Sequence, residues 1–219
     1  MTDFAAARRH MVDGQVRTAD VTDRRIIAAM LEVPREQFVA PSMAGLAYLD
    51  LDVPVGEGGP PPRRLIKPMV LAKLIQAAAL DDTARVLDVG CATGYAAALV
   101  ARIAGEVVAL EQDAKLAQAA REALANQPNA GVVEGALNAG CPGKAPYDAI
   151  LLEGASEMVP DYLFHQLKDG GRLVCVLGAG PGAKAMLYYR SGEEIGGRPL
   201  FDAAAPVLPG FTKPPEFAF

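Results

Sequence analysis

The chain has 219 residues, 51% of them hydrophobic and 21% charged, with a net charge of −5. That balance suits one moderately large globular domain and excludes a disordered chain, while the acidic charge argues against a nucleic-acid surface. No apolar run approaches the ~20 residues of a membrane span, since Arg102 interrupts the longest candidate, and the N-terminus lacks a signal-like apolar region, so a cytoplasmic protein is expected.

In chain order, the stretch from Asp3 to Asp20 is polar and charged and contains the phrase Met11-Val-Asp-Gly-Gln-Val16. Thr22-Asp23 reads as a helix start, with Ile26, Ile27, Met30 and Leu31 on one face and Val33-Pro34 as the stop. Residues 34–41 and 47–50 follow as short turn-bounded pieces. Without strand-helix alternation, this region is expected to lie over a core rather than within a sheet. Arg63, Arg64 and Lys67 make a small basic loop whose simplest reading is a solvated surface. Pro68 then opens a helix at the position proline prefers, with Val70, Leu71, Leu74, Ile75 and Ala78 at helical spacing.

Arg85-Val-Leu-Asp-Val-Gly-Cys-Ala-Thr-Gly-Tyr95 reads as a buried strand, a glycine-hinged turn and a helix running from Tyr95 to Ile103. The G-x-x-x-G spacing of Gly90 and Gly94 is not the G-x-G-x-x-G of a dinucleotide site, and Asp88 at the strand end would repel a pyrophosphate but attract an ammonium or sulfonium. A second strand, Val107–Leu110, ends in Glu111, placed where α/β nucleoside sites put an acid for ribose hydroxyls. Together these describe a nucleoside with a cationic amino-acid arm, S-adenosylmethionine. A helix over residues 114–125, buried through Leu116, Ala120 and Leu124, leads to a third strand and its exit over residues 131–137. The fourth strand, residues 147–153, ends in Glu153, which either lines the ligand edge of the sheet or is simply a polar strand end. Residues 160–167 read as a short helix with Gly170-Gly171 as its left-handed exit, and residues 172–177 as the fifth strand. Residues 183–190 and 195–201 form a hairpin-like pair. Phe201, Phe211, Phe217 and Phe219 crowd the C-terminus and suggest a docked tail. Cys91, Cys141 and Cys175 are odd in number and lack metal-ligand spacing, so reduced thiols and no metal site are expected.

The loop resembles motif I of class I methyltransferases, with Ala92 where a middle glycine is common. A more specific resemblance comes from Met11-Val-x-Gly-Gln-Val, Val33-Pro-Arg-x-x-Phe-Val, Ala47-Tyr-x-Asp, Pro54-Val-Gly-x-Gly58, Pro146-Tyr-Asp148 and Gln166-Leu-x-x-Gly-Gly-Arg-Leu-Val174. These phrases, spread from about Met11 to Arg190, are similar to those of protein-L-isoaspartate O-methyltransferases. The resemblance implies an α/β Rossmann-like methyltransferase sheet with an N-terminal helical layer, and methylation of the abnormal carboxylate of isoaspartyl residues in damaged protein or peptide substrates. It further implies that Asp88, Gly90, Cys91, Ala92, Gly94, Glu111, Gln112, Ala136, Leu137 and Glu153 surround S-adenosylmethionine. Residues 1–67 would be the N-terminal layer and substrate-covering loop, and residues 68–219 the cofactor core with its antiparallel strands and aromatic tail.

The sequence departs from the family at the substrate segment. Where a Gln-Thr-Ile-Ser-Gln-Pro phrase is usual, Arg63-Arg-Leu-Ile-Lys-Pro68 stands, with a Gly-Pro-Pro-Pro insertion before it. Arg64 takes the threonine position and Ile66 the serine position, so Arg63, Arg64 and Lys67 become candidates to hold the substrate carboxylate. The usual adenine-binding acid is replaced by Ala136. Three rival readings stay open: a related methyltransferase with another acceptor, a non-catalytic S-adenosylmethionine-binding protein, and a nicotinamide oxidoreductase, which Asp88 disfavours. The sequence leaves the oligomeric state open.

Overall fold

The computed structural model describes residues 3–55, 63–159 and 161–213. The N-terminal layer begins with helix α1, Phe4–Met11, whose N-cap Asp3 accepts from the Ala6 N–H, and which runs on through a π turn and a 3₁₀ turn to Ala19. Helix α2, Arg24–Glu32, starts at the expected cap Asp23 and buries Ile26, Ile27, Ala29 and Met30. Two 3₁₀ turns, Arg35–Phe38 and Pro41–Leu46, carry the chain to a two-residue strand β1, Val53–Pro54, which pairs antiparallel with β2, Arg64–Leu65. The polar opening phrases are stitched to each other here. Gln15 Nε2 donates to the Tyr48 carbonyl at 2.9 Å, and Arg8 reaches the Tyr48 hydroxyl at 2.9 Å and the Glu36 carboxylate at 3.3 Å.

Helix α3, Pro68–Ala78, has its proline in the first turn and ends at Ala79 in the left-handed region. The sheet then alternates as expected: β3 Arg85–Val89, α4 Tyr95–Val100, β4 Glu106–Glu111, α5 Ala114–Ala123, β5 Ala130–Glu134, β6 Tyr147–Ser156, α6 Asp161–His165, β7 Leu167–Leu177, β8 Lys184–Ser191 and β9 Glu194–Asp202. The strand order is β5-β4-β3-β6-β7-β8-β9, parallel through β7 and antiparallel for the last hairpin. β3 and β6 are neighbours although far apart in sequence, so the order reverses there and a crevice opens beyond their carboxyl ends.

Several boundaries differ from expectation. α4 stops at Val100 rather than Ile103, and β5 starts one residue early, at Ala130, and ends at Glu134, with its exit over the next residues as expected. Gly170 does adopt a positive φ of +77°, but Gly170-Gly171 lies inside β7, not at a helix exit. There the pairing jumps from Tyr147–Leu167 to Ala149–Arg172, and the glycines occupy the extra residues of that irregularity. The cysteines are free thiols, as expected. Among the described residues no helix is long and apolar enough to cross a membrane.

Candidate active site

The turn after β3 is built from three left-handed residues, Gly90 at φ +80°, Ala92 at +51° and Gly94 at +91°. A side chain is admitted at the middle one although the backbone there favours glycine, at a cost of roughly 1 kcal/mol; the negative φ that would suit an alanine is not adopted. Backbone N–H groups tie the turn to the end of β4, with Gly90 and Cys91 donating to the Leu110 carbonyl at 2.8 and 3.1 Å. Thr93 anchors it to the N-terminal layer, its hydroxyl donating to the Phe38 carbonyl at 2.6 Å. An ideal Cβ on Gly94 would meet Ala120 Cβ at 3.3 Å, which packs α4 closely on α5.

Glu111, fully buried at the end of β4, is the hub of the crevice. Its Oε2 accepts from Ala92 N–H at 2.8 Å and its Oε1 from Gln112 and Asp113 N–H at 2.9 and 3.2 Å. Gln112 thus contributes through its backbone, while its side chain is exposed. Arg63 completes the set: its Nη2 donates to Glu111 Oε2 at 2.9 Å and to the Gly90 carbonyl at 2.6 Å, with only 12% of the side chain exposed. The solvated-surface reading therefore fails for Arg63. Arg64 instead donates to the Asp52 carbonyl at 3.0 Å, and the Lys67 N–H to the Asp52 carboxylate at 2.9 Å. Of the three basic candidates, the described contacts bring only Arg63 onto the loop. The insertion residues 59–62 lie outside the described residues.

Asp88 and Glu153 form the floor. Asp88 is completely buried and neither of its oxygens meets a donor among the described residues; Glu153 is 2% exposed and its Oε1 is likewise unpartnered. Burial pushes Asp88 up to about 7, and Glu153 well above the usual carboxylate range with the Asp88 charge beside it as the next cause. Two neighbouring buried carboxyls disfavour each other's ionisation, which favours the protonated form of one of them. Glu153 lies buried inside β6, three residues before its end, rather than at the polar end of a strand. Cys91 is buried among these acids, which, after burial itself, raise its thiol well above its ordinary value. Burial and the neighbouring acids thus disfavour its thiolate.

The roof was missed by sequence reasoning. Residues 206–211 run along the end of β6, with Ala155 N–H donating to the Pro206 carbonyl and Leu208 N–H to the Ala155 carbonyl, both at 2.8 Å. Leu208 reaches over the glycines: ideal Cβ atoms on Gly90 and Gly154 would lie 3.0 and 2.7 Å from its side chain. Leu137 is buried beside it, while Ala136 is exposed at the rim. Arg35 was also missed. It is fully buried, its Nε and Nη2 donating to the Ala47 and Ile66 carbonyls at 2.8 Å, and its guanidinium lies 4.7 Å from the Tyr95 ring centroid. Only packing brings these residues to the loop, so no local signal marked them.

This crevice suits a ligand carrying hydroxyls and a cation. It offers buried acid oxygens without donors, a backbone carbonyl and a carboxylate that already hold a cationic N–H group, and glycines that let a ligand near the main chain. S-Adenosylmethionine has that chemistry.

The comparisons with known proteins agree. A family model described as protein-L-isoaspartate(D-aspartate) O-methyltransferase matches residues 6–197. Protein-L-isoaspartate O-methyltransferase 1 of Rhodopseudomonas palustris is 40% identical over 188 residues, covering 85% of this chain and 75% of the relative. Protein-L-isoaspartate O-methyltransferase of Methylorubrum extorquens is 41% identical over 193 residues, covering 88% and 83%. A solved protein-L-isoaspartate O-methyltransferase superposes with a TM-score of 0.81 at 26% identity, over 93% of this chain and 66% of that one. The fold is shared too by a Plasmodium falciparum structure described as a beta-aspartate methyltransferase in complex with S-adenosyl-L-homocysteine, with a TM-score of 0.75 at 16% identity.

Proposed function

We infer the chemistry from descent and site together: the chain belongs to the protein-L-isoaspartate(D-aspartate) O-methyltransferase family. It is an S-adenosylmethionine-dependent enzyme that methylates the carboxylate of isoaspartyl residues in damaged protein. The observation that supports the site reading is the meeting of Asp88, Gly90, Glu111 and Glu153 around one glycine turn at the sheet's carboxyl edge.

S-Adenosylmethionine, when bound, supplies an electrophilic methyl group. Glu111, fixed by three backbone N–H groups, would accept from ribose hydroxyls, and the Gly90 carbonyl and ionised Asp88 would favour the ammonium end. Ala92 and Gly94 shape the turn, Cys91 and Leu137 pack behind it, and the exposed Ala136 and Gln112 mark the rim. An acceptor carboxylate is already a nucleophile, so the protein's task is placement and exclusion of water rather than proton abstraction. The buried Ile66 side chain offers no hydrogen bond at the family's serine position, which leaves a guanidinium as the natural carboxylate ligand. We take residues 1–67 as the acceptor-side layer, residues 68–219 as the cofactor core, and the cytoplasm as the working compartment. A protein or peptide is the acceptor rather than nucleic acid, in keeping with the acidic charge.

The test is transfer of a labelled methyl group to an isoaspartyl peptide, with its aspartyl isomer as control. Base-labile label on the isoaspartyl peptide alone is the expected result. Ile66 favours a second reading, in which another acceptor is used; labelling of neither peptide by a protein that binds S-adenosylhomocysteine would select it.

A further inference from the structure

Arg63 sits on the two acceptors that the cofactor reading requires. One nitrogen, Nη2, donates to both the Gly90 carbonyl and Glu111 Oε2. A Cβ added to Gly90 would lie 2.8 Å from that same nitrogen, so the guanidinium fills the space above the turn where a ligand must come close. Arg63 is also the positive charge facing Asp88 and Glu153. A ligand ammonium on Gly90 and ribose hydroxyls on Glu111 would contend with it for the same lone pairs and the same volume.

We propose that Arg63 is an internal stand-in for the cationic end of the cofactor. Cofactor binding displaces its guanidinium from Gly90 and Glu111, and the freed guanidinium then holds the acceptor's carboxylate, so the cofactor binds first. This rests on the reading of the crevice as an S-adenosylmethionine site. Displacement leaves Glu111 its bonds from Ala92, Gln112 and Asp113, and the Gly90 carbonyl passes from the guanidinium to the ligand's ammonium. Nor does it require the backbone to move. The Arg63 carbonyl accepts from Val55 N–H at 3.0 Å, and β2 begins at the next residue, so only the side chain must swing. The acids face a cation in either state, so displacing the guanidinium does not leave them without a countercharge. Once released, a guanidinium can grip a carboxylate with two parallel hydrogen bonds.

Calorimetric titration tests this without turnover. S-Adenosylhomocysteine, which keeps the ammonium and ribose, is titrated into the wild type, Arg63→Ala and Arg63→Gln. An isoaspartyl peptide is titrated with and without saturating S-adenosylhomocysteine. Because an internal competitor lowers apparent affinity by the fraction of protein it blocks, Arg63→Ala should bind S-adenosylhomocysteine about tenfold tighter. Arg63→Gln, which keeps a donor but not the charge, should fall between. The wild type should bind the peptide about tenfold tighter with S-adenosylhomocysteine than without, and Arg63→Ala should lose that dependence. Unchanged or weaker S-adenosylhomocysteine binding by Arg63→Ala overturns the proposal, as does peptide binding by the wild type that ignores S-adenosylhomocysteine. If thermal melts show Arg63→Ala unfolded, Arg63→Gln decides, tighter binding supporting and equal or weaker binding overturning. A wild type that binds no S-adenosylhomocysteine at millimolar concentration refutes the site reading itself, a distinct result.

Discussion

Asp88 and Glu153 carry a pH dependence whose sign follows from their burial. Both titrate above the ordinary carboxylate range, Asp88 at about 7, so the folded protein holds more protons than the unfolded chain from about pH 4 upward. The contribution of Asp88 to stability is complete below the unfolded pKa of about 4 and is lost as pH rises through about 7, and that of Glu153 is lost in the same direction. Ligand affinity runs the other way, because an ammonium is attracted to the ionised form. Across a group titrating near 7, affinity for S-adenosylhomocysteine should rise about tenfold from pH 6 to pH 8, with a proton released on binding. Titrations in buffers of different ionisation enthalpy would count that proton. Asp88→Asn should flatten the profile and weaken binding at pH 8; a profile unchanged by this substitution would remove Asp88 from the ligand's surroundings.

Between elements, the phrases that made the N-terminal region recognisable turn out to be joints. Arg35 fastens the turn after α2 to the Ala47 and Ile66 carbonyls, and Phe38 packs edge-on against Tyr95 at 5.4 Å between centroids while its carbonyl takes the Thr93 hydroxyl. The N-terminal layer is thereby registered to the glycine turn. Arg35→Met, similar in length but without donors, strands two buried carbonyls and should cost about 2–4 kcal/mol in urea unfolding; a loss below about 1 kcal/mol would show that the joint is not carried by these bonds. What was legible here follows from range. Asp23 as a cap and the α3 and α5 faces are written within a few turns of chain, and the Gly90–Gly94 turn within five residues. Arg35, Thr93 and Leu208 acquire their roles from partners tens of residues away, and β1 and β2 are too short to show any period. Gly170-Gly171 misled for the same reason: a glycine pair after a helix looks like a cap until the register of β6 against β7 is known.

At the scale of the whole molecule, the C-terminus closes what the middle of the chain opens. The clustered phenylalanines pointed to docking, and Phe211 is indeed fully buried, with Lys73 Nζ 4.2 Å from the Phe201 ring centroid; Phe217 and Phe219 lie outside the described residues. The decisive contact is smaller than an aromatic one. Gly154 lets the tail lie on β6, since a Cβ there would meet Leu208 Cγ at 2.7 Å and the Pro206 carbonyl at 2.8 Å. Leu208→Ala should cost about 3 kcal/mol as a core truncation, and Gly154→Ala about 2 kcal/mol by forcing the tail outward. The two share one contact, so their effects should not add. With the leucine side chain gone, the added methyl loses two of its three nearest clashes and keeps the one with the Pro206 carbonyl, and the double mutant should be about 1 kcal/mol more stable than the sum of the single losses predicts. Urea unfolding of the four proteins measures this coupling directly. Strict additivity would mean that Leu208 and Gly154 act independently, and that the tail is held by its backbone hydrogen bonds and Phe211 alone.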